Sequence, residues 1–145
     1  MKLVIQRVSS ASVSVNGELI SEIKKGYLIL FGVSMEDDGS QIEWLAKKVS
    51  ELRIFPDDNG KMNLSVKDVV GEVLLVSQFT LYASCKKGRR PDFNGAAKPD
   101  LAEKLYLQFA AELKKLGVPA KLGVFGAFMD VKLTNDGPVT IILEK

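Results

Sequence analysis

The chain has 145 residues, 46% of them hydrophobic and 26% charged, with a formal net charge of +2. That is the size and balance of one globular domain spanning residues 1–145, and it excludes a disordered chain. The composition contains no histidine, which removes Ser-His-Asp and Cys-His catalysis, HExxH zinc sites and imidazole proton shuttling.

In chain order, the first 33 residues are expected to form strands. Ala11, Val13 and Val15 alternate with Ser12 and Ser14, and Asn16-Gly17 is a two-residue hairpin turn leading into Glu18-Leu19-Ile20. After Gly26, Tyr27 to Val33 is a short, almost continuous apolar run, the pattern of a buried strand. Asp37-Asp38-Gly39-Ser40 supplies N-cap residues for a helix in which Ile42, Leu45, Ala46, Val49 and Leu52 recur at helical spacing. Pro56 to Gly60 is a turn cluster, and Glu72 to Thr80 returns to strand character. Lys86 to Lys98 reads as a loop. Pro99-Asp100 opens a second helix along Leu101, Leu105, Phe109 and Leu113, and Gly117 ends it. Ala120 to Leu122, Met129 to Thr134 and Val139 to Leu143 complete the strands, with Asn135-Asp136-Gly137-Pro138 as a turn between the last two. The expected fold class is α+β, a single domain with a mainly antiparallel, barrel-like sheet and two helices. Runs of strand between isolated helices argue against a doubly wound parallel sheet.

No apolar run approaches the roughly 20 residues of a membrane span, and polar residues break the N-terminus too early for a signal-peptide core. The single cysteine, Cys85, cannot form an internal disulfide, so a reducing, cytoplasmic setting is expected. With no histidine and one thiol, neither a metal nor a cofactor is expected. Chemistry is left to carboxylates, hydroxyls, lysines, main-chain amides or the substrate itself.

Three segments carry candidate chemistry, each with a plainer reading beside it. Ser77-Gln78-Phe79-Thr80-Leu81-Tyr82 follows a buried apolar run; it is either a strand leaving the core or a set of main-chain N–H groups around a reacting carbonyl, with the Thr80 hydroxyl alongside. Lys86, Lys87, Arg89 and Arg90 put four cations within five residues, suited to phosphate contacts or simply solvated. Asn135-Asp136-Gly137-Pro138 is an ordinary hairpin turn or a loop whose main chain reads a ligand.

Taken together these segments resemble the bacterial and eukaryotic D-aminoacyl-tRNA deacylases over essentially the whole chain. The two specific motifs are Ser77-Gln78-Phe79-Thr80-Leu81-Tyr82 and Asn135-Asp136-Gly137-Pro138-Val139-Thr140. Gln6-Arg7-Val8, Leu52-Arg53-Ile54-Phe55, Lys87-Gly88-Arg89-Arg90-Pro91 and Phe125-Gly126-Ala127 with Met129 fit the same pattern. The resemblance implies a homodimer acting on tRNA that carries a D-amino acid or glycine. Ser77, Gln78, Phe79 and Thr80 of one subunit would form the ester pocket, and a cis Gly137-Pro138 peptide of the other would leave no room for an L side chain. Arg7 would brace that loop, and Phe125 and Met129 would line the terminal-adenosine side. Phe128 and the Ser84-Cys85 pair depart from the family's commoner residues, an Asp or His at the first and an acidic-polar pair at the second. A non-catalytic RNA-binding module built on the basic loop is the competing expectation.

Overall fold

A computed structural model describes all 145 residues. The strands are β1 (Lys2–Val15), β2 (Glu18–Ile23), β3 (Gly26–Gly32), β4 (Phe55–Pro56), β5 (Met62–Leu64), β6 (Glu72–Ser77), β7 (Ala120–Leu122) and β8 (Asp130–Glu144), and the helices are α1 (Ile42–Glu51) and α2 (Pro99–Lys115). One edge of β1 is shared, antiparallel, between β3 (over Lys2–Val8) and β2 (over Ala11–Val15), while β8 runs antiparallel along the other edge. The expected turn at Asn16-Gly17 makes the β1–β2 hairpin, with φ of 52° and 82° at the two residues, as a two-residue hairpin loop requires.

The second half of the sheet is parallel. β3 pairs with β6, and β6 with β7, because α1 and α2 each carry the chain back across one face. Such strands are covered on both faces, which explains the unbroken apolar runs of β3 and β6. The far ends of the sheet approach each other: Ser21 Oγ donates to the Leu122 carbonyl at 2.8 Å and Lys121 Nζ to the Glu22 carbonyl at 2.7 Å. The result is a nearly closed, mixed, barrel-like sheet with two helices.

Alternation along the strands divides the core. Tyr27, Ile29, Phe31, Val73 and Leu75 face the helices and pack with Leu45, Val49, Leu105, Phe109 and Leu113 in the larger cluster. Leu28, Leu74 and Val76 point the other way and join Val8, Val13 and Ile23 in the smaller one. α1 buries Ile42, Leu45, Ala46 and Val49 of its expected stripe, while Leu52 falls just past its end and is half-buried; α2 buries Leu105, Phe109 and Leu113 with Tyr106 beside them, and Leu101 is half-buried.

Three expectations need correction. The strand expected over Glu72–Thr80 ends at Ser77, and Phe79–Tyr82 forms a single 3-10 turn. No side chain caps α1: Gln41 precedes it, and Asp37 is buried against the N-terminal ammonium of Met1 at 2.8 Å and the Ser34 N–H at 2.7 Å. A buried cation makes a stronger demand on a carboxylate than a solvated helix end does. Finally, Asn135 to Pro138 is no hairpin turn. β8 continues through it as one strand, and the register along β1 passes from Gln6–Thr140 to Val8–Asn135, so the extra residues bulge out opposite Arg7.

Candidate active site

Where β6 ends, the chain turns at once into the 3-10 turn. Gln78 N–H donates to the Phe31 carbonyl at 2.8 Å, which fastens the start of this segment to β3. Within the turn the first N–H to find an acceptor is that of Leu81, on the Gln78 carbonyl at 3.2 Å. Phe79 and Thr80 open the turn, so their N–H groups precede that bond and have no partner inside it. The Gln78 side-chain amide donates to the Thr80 hydroxyl. No carboxylate or lysine is bonded to that hydroxyl.

Beside the segment lies a cavity of about 700 Å³ whose 18 lining residues include 14 hydrophobic ones. Ser77, Gln78 and Phe79 form one wall, and Phe125, Ala127, Phe128 and Met129 contribute another. Thr80 does not line the cavity, although it adjoins Phe79. Tyr106 also lines it; its hydroxyl donates to the Leu75 carbonyl at 2.7 Å. Tyr106 is the only lining side chain that ionises, and burial pushes its phenol well above the ordinary tyrosine range, so it stays protonated at neutral pH. Sequence reasoning did not single out Tyr106, which falls outside the stripe of Leu101, Leu105, Phe109 and Leu113.

The second motif is built differently. Arg7, 8% exposed, donates through Nε to the Asp136 carbonyl at 2.9 Å and through Nη1 to the Ile54 carbonyl at 2.5 Å, and its Nε also lies 3.2 Å from the Asp136 carboxylate. Asn135 Oδ1 accepts from the Val139 N–H at 3.0 Å, and Asn135 Nδ2 donates to the Thr140 hydroxyl at 3.1 Å, so this side chain closes the bulge from within. Gly137 has φ of +132°, and a Cβ there would stand 2.9 Å from Arg7 Nη2 and 2.8 Å from Val139 Cγ2; glycine is required on both counts. The Gly137-Pro138 peptide is cis, and both residues are exposed.

The structure therefore brings Ser77, Gln78, Phe79, Phe125 and Met129 around one cavity, and separately brings Arg7 to Gly137. It does not join the two groups within the chain, since neither Gly137 nor Pro138 lines the cavity. Lys86, Lys87, Arg89 and Arg90 are all exposed, on a loop whose ends are held by paired hydrogen bonds between Ser84 and Asp92. None of the four takes part in an ion pair or a side-chain hydrogen bond. No three His, Cys, Asp or Glu side chains gather where they would hold a metal ion, and no helix is long and apolar enough to cross a membrane.

The family model described as D-Tyr-tRNA(Tyr) deacylase matches residues 4–144. A D-aminoacyl-tRNA deacylase of Desulfatibacillum aliphaticivorans is 58% identical over 144 residues, covering 99% of both chains. One from Bacillus cytotoxicus is 53% identical over 144 residues with the same coverage. Among solved structures, the c-Myc DNA unwinding element binding protein superposes with a TM-score of 0.94 at 47% identity, covering 100% of this chain and 99% of that one. A probable eukaryotic D-amino acid tRNA deacylase superposes with a TM-score of 0.83 at 16% identity, covering 98% and 97%, a likeness of fold.

Proposed function

The chain belongs to the D-Tyr-tRNA(Tyr) deacylase family, and from that premise we propose that it hydrolyses the ester joining a D-amino acid, or glycine, to the terminal adenosine of tRNA in the cytoplasm. The observation that carries the mechanism is the content of the cavity. It has no side chain able to take a proton near neutral pH, yet its wall at Phe79 opens a turn in which the N–H groups of Phe79 and the adjoining Thr80 have no partner.

An aminoacyl ester is already activated, so its hydrolysis needs positioning, polarisation of the carbonyl and a proton acceptor for the attacking water. The Phe79 and Thr80 N–H groups stabilise the oxyanion. The ribose 2′-hydroxyl next to the ester orients the water and relays its proton. Water oxygen bonds to the carbonyl carbon, the bond to the ribose 3′-oxygen breaks, and that oxygen leaves protonated. The Thr80 hydroxyl assists through its hydrogen bond with Gln78 and is not the nucleophile, for want of a base to activate it.

Chirality is read by exclusion. Gly137 and Pro138 are exposed, carry no long side chain to grip a substrate, and lie away from the cavity of their own chain. That separation supports a homodimer in which each bulge enters the partner's cavity and obstructs the direction an L side chain would take. D side chains point to open space, and glycine presents none. Phe125 and Met129 make the adenosine-side wall, and the basic loop meets tRNA phosphates.

The test is turnover of D-, L- and glycyl-tRNA by pure protein treated with chelator. Hydrolysis of the D and glycyl substrates with the L substrate spared is expected. Binding without turnover would leave an RNA-binding module, and equal hydrolysis of D and L substrates would overturn exclusion. Replacing the terminal 2′-hydroxyl by hydrogen should suppress hydrolysis; an undiminished rate would remove the ribose from the mechanism.

A further inference from the structure

Of the seven phenylalanines, three are exposed: Phe79 at 56%, Phe93 at 38% and Phe128 at 98%. All three line the one cavity. Single exposed apolar residues scattered over a surface are ordinary, but aromatic rings gathered at one opening are not.

Phe128 does nothing for the core. Its neighbours turn inward: Phe125 packs on Tyr106 with ring centroids 6.0 Å apart, and Met129 joins the smaller core cluster. A turn over Val124–Ala127, closed by the Ala127 N–H on the Val124 carbonyl at 3.2 Å and permitted by φ of +73° at Gly126, delivers Phe128 to the rim. None of Lys86, Lys87, Arg89 and Arg90 lines the cavity itself, but the loop that carries them returns at Asp92, directly before the lining residue Phe93. Flat apolar rings at a mouth that an exposed, unpaired basic loop leads into suit one kind of ligand, a single-stranded nucleic acid with its bases unstacked.

We propose that Phe128 is the stacking platform for the nucleobase that precedes the terminal adenosine of the bound tRNA. This rests on the deacylase reading. With the ester and terminal adenosine inside the cavity, the strand leaves through the mouth, and the preceding base is the first group to meet the rim. A ring that is almost wholly exposed has a free face for it. Phe128 is thus a positioning residue: it holds the 3′ end so that the ester stays opposite Phe79 and Thr80, and it makes the enzyme favour an RNA end over an isolated nucleoside ester.

The experiment compares wild type, Phe128→Ala and Phe128→Tyr on two substrates, D-aminoacyl-tRNA and D-aminoacyl-adenosine, with oligomeric state measured in parallel. Stacking of one base predicts that Phe128→Ala raises KM for the tRNA substrate about tenfold more than KM for the adenosine ester, with kcat less affected, and that the tyrosine variant restores the tRNA value. Equal losses on both substrates would make Phe128 a wall of the adenosine site, and no loss on either would leave it idle; both overturn the proposal. A changed oligomeric state in Phe128→Ala would assign the ring to a protein interface and overturn it as well. If wild type cleaves neither substrate, the deacylase reading itself fails and this proposal with it. If wild type cleaves both with equal KM, only the stacking role fails.

Discussion

The bulge in β8 and the turn after β6 both arise where a strand departs from regular pairing, yet they treat their main-chain polar groups in opposite ways. In the bulge nearly everything is answered internally. Arg7 takes the Asp136 carbonyl, Asn135 takes the Val139 N–H and holds Thr140, and Gly137 fits a space that no Cβ can share. In the turn the N–H groups of Phe79 and Thr80 stay unanswered, beside a cavity whose lining is mostly apolar. A loop whose geometry is fixed by its own side chains can act as a rigid obstacle. A segment with open donors is complementary to something it has not yet met. One region is built to exclude and the other to receive.

The largest expected effect comes from breaking the rigid side of this contrast. Gly137→Ala puts a Cβ into contact with Arg7 Nη2, Val139 Cγ2 and the Val139 nitrogen, 3.1 Å away, at a φ that L residues rarely adopt. The bulge must shift, and a displacement of about 1 Å at a reacting centre commonly costs about 100-fold. Discrimination between D- and L-aminoacyl-tRNA, measured as a ratio of kcat/KM, should fall by about that factor, with the L substrate gaining. An unchanged ratio would detach the bulge from selectivity. Arg7→Ala should act in the same direction and also destabilise the fold by about 2–3 kcal/mol, since it strands the buried Ile54 carbonyl; Arg7→Lys should not rescue it, because one ammonium cannot reproduce the fork. Denaturant unfolding and the D/L ratio report the two effects separately.

The receiving side should be more tolerant at its side chains, because its proposed chemistry is main-chain. Thr80→Ala should lower kcat by no more than about tenfold, the loss of one assisting hydrogen bond. Complete loss with normal tRNA binding, or a trapped acyl-Thr80, would show the hydroxyl to be the nucleophile.

How far these regions were legible in the sequence differs for the same reason. Ile42, Leu45 and Val49 of α1, and Leu105, Phe109 and Leu113 of α2, announced buried helix faces because periodicity is a local property. Asn16-Gly17 announced its hairpin. The mixed direction of the sheet was less visible: that β3, β6 and β7 run parallel depends on which way two helices return, and this is settled by packing across the whole domain. Asn135 to Pro138 looked like a turn because its residues are turn residues, whereas pairing with β1 on both sides makes it a bulge. The cavity drew Ser77 and Phe125 together from positions far apart in the chain, and no spacing rule connects them. The clamp between Arg7 and Asp136 spans 129 residues and was named only through family likeness.

A smaller effect tests the basic loop. Neutralising Lys87 and Arg89 together should weaken tRNA binding a fewfold at moderate salt and reduce the steepness of its salt dependence by about two units, one for each phosphate no longer neutralised. The D/L ratio should not move, since neither residue takes part in the bulge's hydrogen bonds. A loop that only sits in solvent would leave the salt slope as it was.

The smallest expected change is the most diagnostic for the mechanism. Tyr106 is the cavity's only ionisable side chain, and its phenol is pushed up by burial, so it cannot serve as a base near neutral pH. Tyr106→Phe should therefore leave the pH dependence of kcat between about pH 6 and 9 unaltered, any inflection there belonging to the substrate's α-amino group. Stability should fall by about 1 kcal/mol through loss of the hydrogen bond to the Leu75 carbonyl, which still accepts the Gly123 N–H at 2.9 Å. The alkaline limb gives the sign. With a folded pKa above the unfolded one, the native state keeps a proton that the unfolded chain loses from about pH 10 upward, so the tyrosine's contribution is complete below that pH and disappears as pH rises beyond it. Wild type should thus lose stability above about pH 10 more steeply than Tyr106→Phe, as read from unfolding midpoints across the range. A kcat inflection near neutrality that vanishes in Tyr106→Phe would show a protein base at work, and the ribose would no longer be needed to supply one.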